Sequence, residues 1–148
     1  MTTVRLERTF DASAEAVFDA WTHPEVLRRW WAAGEDWTTP EAEMDLRVGG
    51  GYRLTMRDPG GAACTVVGEY LEISRPGRLR YTRRWLGGEE GDSIVDVRFV
   101  EGGGRTTVLL EHTRLPTPRS REEHERGWSA CLATLARRVL PARAEEAA

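Results

Sequence analysis

Lysine is absent from these 148 residues, cysteine occurs only twice, and no long apolar run is found. Each absence excludes something. A membrane-spanning helix needs about 20 consecutive apolar residues, so no span is expected. Cys64 and Cys131 form no metal spacing and no redox pair, which makes a reduced, cytoplasmic setting the default. No ligand pair drawn from His23, His112 and His124 has a usual zinc spacing. The glycine runs lack the Lys-Ser/Thr ending of a phosphate-binding loop and read as hairpin turns. A net charge of −3 offers no basic field to a nucleic acid. The arginines are interleaved with acids, as on an ordinary solvated surface. The N-terminus lacks the basic-then-apolar pattern of a secretory signal. Nothing in the sequence implies a metal or a cofactor, and no complete catalytic motif is present.

What is present is a clear change of periodicity along the chain. Thr3–Phe10 alternates as a strand. Ser13 is placed to cap a short helix over Ala14–Trp21. Pro24 opens a second short helix running to Trp31, and Ala32–Pro40 reads as loop. From Ala42 the period becomes two: Met44, Leu46 and Val48 share a face, then Tyr52, Leu54 and Met56. Cys64–Ile73 is apolar on both sides. Leu79, Tyr81, Arg83 and Trp85 form one side of the next strand, followed by Val95, Val97 and Phe99, then Thr106, Val108, Leu110 and His112. Ser120–Leu140 reads as one amphipathic helix. His124, Trp128, Cys131, Leu132, Leu135 and Val139 fall in its apolar stripe, while Arg126 and Thr134 point elsewhere. Ser120 and Glu123 fit a capping box. Pro141 ends the helix, and Ala142–Ala148 is expected to fray. Helices segregated from strands imply an α+β fold, here a single domain over residues 1–148.

Several segments resemble a known family. They are Ala14–Glu25 with its Pro break, Leu27–Trp31 with its Trp-Trp pair, Asp45–Gly50, Gly68–Ile73, Glu111–Thr113 and Glu125–Trp128. In this order they are similar to the family named for the C-terminal domain of the activator of the heat-shock-90 chaperone ATPase, within the START-like (SRPBCC, birch-pollen-allergen-like) superfamily. The resemblance implies a helix-grip fold, with an antiparallel sheet curved around the C-terminal helix and a cavity between them. Members of the superfamily bind lipids, hormones or aromatic polyketides; some are cyclases and some serve chaperones. His23 stands where the family usually has Asp as a helix cap. A chain of this length leaves no room for the co-chaperone's additional N-terminal domain, which argues against that role.

The candidate site follows from this frame. Tyr81, Trp85, Phe99, Leu110, Trp128 and Leu132 are the expected walls of a pocket for a small apolar or aromatic molecule, although the same residues could simply fill a core. Trp30 and Trp31 are adjacent on a helix and point about 100° apart, so one can fill the core while the other covers a cavity mouth or meets a partner; both could also be purely structural, and as site residues both are expected to border the mouth. His112 and His124 are expected to be neighbours if the last helix lies on the last strand. His112 would then orient a ligand, or the pair would be structural. Glu69, between apolar residues, is expected to be buried and paired with Arg83 or Arg98. Gly127, inside a helix, either lets the helix approach a strand or leaves room for a ligand. The expected function is ligand binding without catalysis. A chaperone-contacting protein and an aromatase or cyclase acting on a polyketide are the alternatives, and a homodimer is left open.

Overall fold

The computed structural model describes residues 2–32, 34 and 36–140. The chain runs β1 (Thr2–Phe10), α1 (Ala14–Thr22), α2 (Pro24–Leu27), β2 (Thr38–Met44), β3 (Gly51–Arg57), β4 (Ala63–Ser74), β5 (Arg78–Trp85), β6 (Ser93–Gly102), β7 (Arg105–Leu115) and α3 (Pro118–Thr134). A π-helical turn, Leu135–Val139, extends α3. The strands form one antiparallel sheet in the order β1-β7-β6-β5-β4-β3-β2, curved but not closed into a barrel, with β1 and β2 at its edges. This is the α+β helix-grip arrangement. No helix among the described residues is long and apolar enough to cross a membrane.

Alternation puts one face of the sheet in the core. Val95, Val97 and Phe99 on β6 and Val108, Leu110 and His112 on β7 are all buried, and Val97 lies opposite Leu110 across the ladder. Ser13 caps α1 through a bond from the Ala16 amide. The buried face of α1 then sets Phe18 edge-on to Phe99, with ring centroids 5.5 Å apart. Burying a phenylalanine in this way stabilises the fold by about 2–3 kcal/mol. The end of β7 carries a bulge. Thr2 pairs with Leu115 but Val4 pairs with His112, and Arg114 takes up the extra residue with φ of 63°.

One glycine is demanded by close approach. The Tyr52 hydroxyl, on β3, passes over Gly68 on β4 and donates to the Thr82 carbonyl on β5. A Cβ at Gly68 would collide with that carbonyl and with the tyrosine ring.

The structure corrects several expectations. The second edge strand starts at Thr38, inside the segment read as loop, and ends at Met44; Leu46 and Val48 are exposed in the following turn. Helix α2 stops at Leu27, and Arg28–Trp30 continues only as turns. The cap of α3 is Thr117, whose hydroxyl accepts from the Ser120 amide, with Pro118 in the first turn. Ser120 is therefore inside the helix, and the capping box does not form. Thr134 is buried and its hydroxyl donates to the Ala130 carbonyl. Regular α geometry ends at Thr134 rather than continuing to Leu140. Glu69 is exposed: β4 turns this residue to the outer face, so no buried Glu69–Arg83 or Glu69–Arg98 pair forms. The frayed tail expected over Ala142–Ala148 lies outside the described residues.

Two substitutions test this account by denaturant unfolding. Gly68→Ala should lower stability by about 2–3 kcal/mol, because the new methyl meets rigid backbone. Thr117→Ala should cost about 1 kcal/mol, more than Ser129→Ala at a half-buried position of the same helix.

Candidate functional site

Helix α3 packs chiefly against β1 and β7 rather than against β3, β4 and β5. A cavity of about 520 Å³ opens over these last three strands, lined by Trp31, Trp37, Trp85 and Trp128 together with Ala32, Met56, Cys64, Arg83, Glu123, His124, Arg126, Gly127 and Cys131. Four indoles and a methionine make the wall chiefly apolar. Glu123 and Arg126 are exposed and stand at its open side. Deeper in the fold, between Trp21, Tyr52, Tyr70 and Tyr81, packing leaves only about 20 Å³.

Polar order behind the wall comes from a chain of hydrogen bonds. Trp128 Nε1 can only donate, and it lies 3.1 Å from His112 Nδ1. That nitrogen must be the acceptor, so the proton of His112 sits on Nε2 and is donated to Ser93 Oγ at 2.7 Å. Ser93 passes its own hydroxyl proton to the Arg83 carbonyl at 2.9 Å. The chain joins α3, β7, β6 and β5 in turn. His124 Nδ1 lies 2.7 Å from the Ser120 carbonyl and must donate to it. Its Nε2 is left to accept from Arg83 Nη1, also at 2.7 Å. The two imidazoles stand edge to face with centroids 4.9 Å apart. Both ring nitrogens of each histidine are committed to protein groups.

Burial and the nearby Arg83 charge hold both rings neutral. Desolvation, then Arg83, then His124 pull His112 from 6.5 to about 2. Desolvation followed by Arg83 pulls His124 from 6.5 to about 4. Burial pushes the Cys131 thiol up to about 12, and its Sγ donates to the Ala32 carbonyl. Arg83 itself is 7% exposed, with its guanidinium carbon 4.7 Å from the centroid of the Trp85 ring.

Of the residues expected to form the site, Trp31, Trp85, His124 and Trp128 line the cavity. Tyr81 faces the tightly packed inner gap. Trp30, Phe99, Leu110 and Leu132 are in the core and line no part of the cavity. The two neighbouring tryptophans do diverge: Trp30 turns inward and donates to the Ala20 carbonyl, while Trp31 faces the open space. His112 is fully buried behind Trp128. Arg83, Met56, Cys64 and Trp37 also line it without having been expected there, and Gly127, for which room for a ligand is one of the two sequence readings, lines it too. For Arg83 the signal was available, since it sits between Tyr81 and Trp85 on the inward side of its strand. Among the described residues no group of three His, Cys, Asp or Glu side chains is placed to hold a metal.

This geometry can be set beside known proteins. The family described as activator of Hsp90 ATPase homolog 1-like protein matches residues 11–139. The chain belongs to this family. Curated proteins yield no match. A crystal structure of a Chromobacterium violaceum protein is 28% identical with a TM-score of 0.82, covering 93% of this chain and 96% of that one. The AHSA1 protein from Silicibacter pomeroyi is 26% identical with a TM-score of 0.80, covering 92% and 96%. An HSP90 activator from Plasmodium falciparum shares the fold at 23% identity and a TM-score of 0.73, covering 92% of this chain and 94% of that one. Family membership and these likenesses agree with the START-like fold.

The neutral histidines make stability depend on pH. In the unfolded chain each imidazole takes up a proton near pH 6.5, whereas the folded site resists it. Protonation therefore favours unfolding. The melting temperature should fall as pH drops from about 6.5, with the His124 share of the loss complete near pH 4. In His124→Gln the decline over that window should be shallower, which calorimetry at several pH values would reveal.

Proposed function

We propose that the chain binds a small apolar or aromatic molecule, without covalent chemistry, in the cavity between β3–β5 and α3. The observation that carries this reading is the space of about 520 Å³ walled by four tryptophans. It falls within the range of small-molecule sites, which are mostly apolar with a few placed polar groups. The filled inner gap limits a ligand to the outer part of the fold, where Trp31, Trp85 and Trp128 would touch it. Carriage is favoured over catalysis because neither His112 nor His124 keeps a ring nitrogen free for proton transfer. On this reading residues 1–148 act as one domain, in the cytoplasm.

Contact with a heat-shock-90 chaperone is the second reading. It is supported by the family description and by the likeness to the Plasmodium HSP90 activator. Such contact would use the outer surface and would be insensitive to filling the cavity.

Gly127 supplies the test. A Cβ built there meets no heavy atom within 4 Å and projects from a residue of the cavity wall. Gly127→Ala should raise stability by about 1 kcal/mol through helix propensity alone. Gly127→Leu should fold, yet weaken binding of neutral phenyl-naphthylamine at least about tenfold, as expected when a side chain occupies space the ligand needs. Tryptophan quenching on titration reads the affinity. Absence of saturable quenching in the wild-type protein, across a broad set of apolar compounds, would overturn the reading.

A further inference from the structure

A guanidinium is the most costly group in this wall to leave unmatched. Arg83 is taken out of water among Tyr81, Trp85 and Trp128, and the only hydrogen bond of its side chain among the described residues runs from Nη1 to neutral His124. Nε is buried with no acceptor. No carboxylate among the described residues forms an ion pair with it, in contrast to Arg78, which reaches Asp96 at 2.6 Å. Desolvation lowers its pKa, the mark of a cation whose surroundings do not repay the lost hydration. Stacking on Trp85 offsets part of that cost. A structural arginine would be expected to have a carboxylate partner. This one is instead presented to a cavity.

We propose that Arg83 is a recognition residue for an organic anion, so that the cavity selects molecules with an apolar, preferably aromatic, body and a single carboxylate or sulfonate head group. The head group accepts from guanidinium N–H groups that His124 leaves unused, while the body lies among Trp31, Trp85 and Trp128. Charge neutralisation in a site screened from water gives such a contact far more selectivity than the same pair has at the surface. His124 is then a positioning residue, because its Nε2 fixes Nη1 and so orients the fork. Glu123 and Arg126 stand at the open side as one charge of each sign and give no net preference there. The proposal rests on the ligand-binding reading above and adds the chemistry of the ligand.

The test compares two probes that share a skeleton, anilinonaphthalene sulfonate and uncharged phenyl-naphthylamine, titrated into the wild-type protein. The sulfonate should bind at least about tenfold more tightly, the scale of a hydrogen bond to a charged group. Arg83→Gln should abolish the preference while retaining binding of the neutral probe, and Arg98→Gln, at an exposed position outside the cavity, should leave the preference intact. Arg83→Gln removes a buried side chain and needs a companion measurement. In the wild-type protein the Arg83 guanidinium Nε–H resonance should shift on adding the sulfonate and not the neutral probe. Equal affinity for the two probes, no shift at Arg83, or a preference lost in Arg98→Gln instead would each overturn the anion assignment and leave the cavity reading standing. Failure of both probes to bind would overturn the anion assignment, and the cavity reading falls with it when the broad set of apolar compounds also fails to quench.

Discussion

The chain of hydrogen bonds from Trp128 through His112 and Ser93 to the Arg83 carbonyl sets the relation between the helix and the sheet. It crosses four elements and consumes every polar atom it passes. A histidine without solvent contact is tolerable only because both its nitrogens are satisfied and it stays uncharged. The same chain fixes where β5 sits beneath α3, and hence where the Arg83 side chain emerges. Packing over β6 and β7 and openness over β3–β5 are two sides of this one constraint, because the helix is tied down at one flank of the sheet and stands clear of the other.

Much of the fold was legible from periodicity. The alternation of Val95, Val97 and Phe99, and of Val108, Leu110 and His112, places strands with their inward faces assigned. The 3.6-residue stripe through Trp128, Cys131, Leu132 and Leu135 does the same for the helix. Legibility failed where two local signals competed. Leu46 and Val48 alternate like a strand, yet they lie in a tight turn beside glycines, while the real edge strand at Thr38–Met44 is short of apolar residues because one side of it is open to solvent. At the helix start, Ser120 and Thr117 are both good caps. The proline after Thr117 favours the earlier position, where its missing amide costs nothing.

The site was less legible than the fold, for a physical reason. A cavity is defined by what does not touch, and pattern reasoning predicts what does. Phe99, Leu110 and Leu132 satisfy every criterion for a wall and were absorbed by the core. The proximity of His112 and His124 could be reasoned out, because strand face and helix stripe each fix one of them. The sequence offers Arg83 only as one of two partners, with Arg98, for a buried Glu69, since a buried charge normally requires an opposite charge. The actual neighbour of Arg83 is a neutral imidazole 41 positions along the chain, a pairing that no local pattern announces.

The two glycines that matter most have opposite surroundings. Gly68 has no spare room, because a tyrosine passes directly over it. Gly127 faces open space on the helix side of the cavity. That second position is an adjustable stop. One codon change there would lengthen the reach of the helix into the hollow and leave the tryptophan wall and the hydrogen-bond chain intact. Homologous proteins could thus diverge in the size of what they hold through a single position, at little risk to folding.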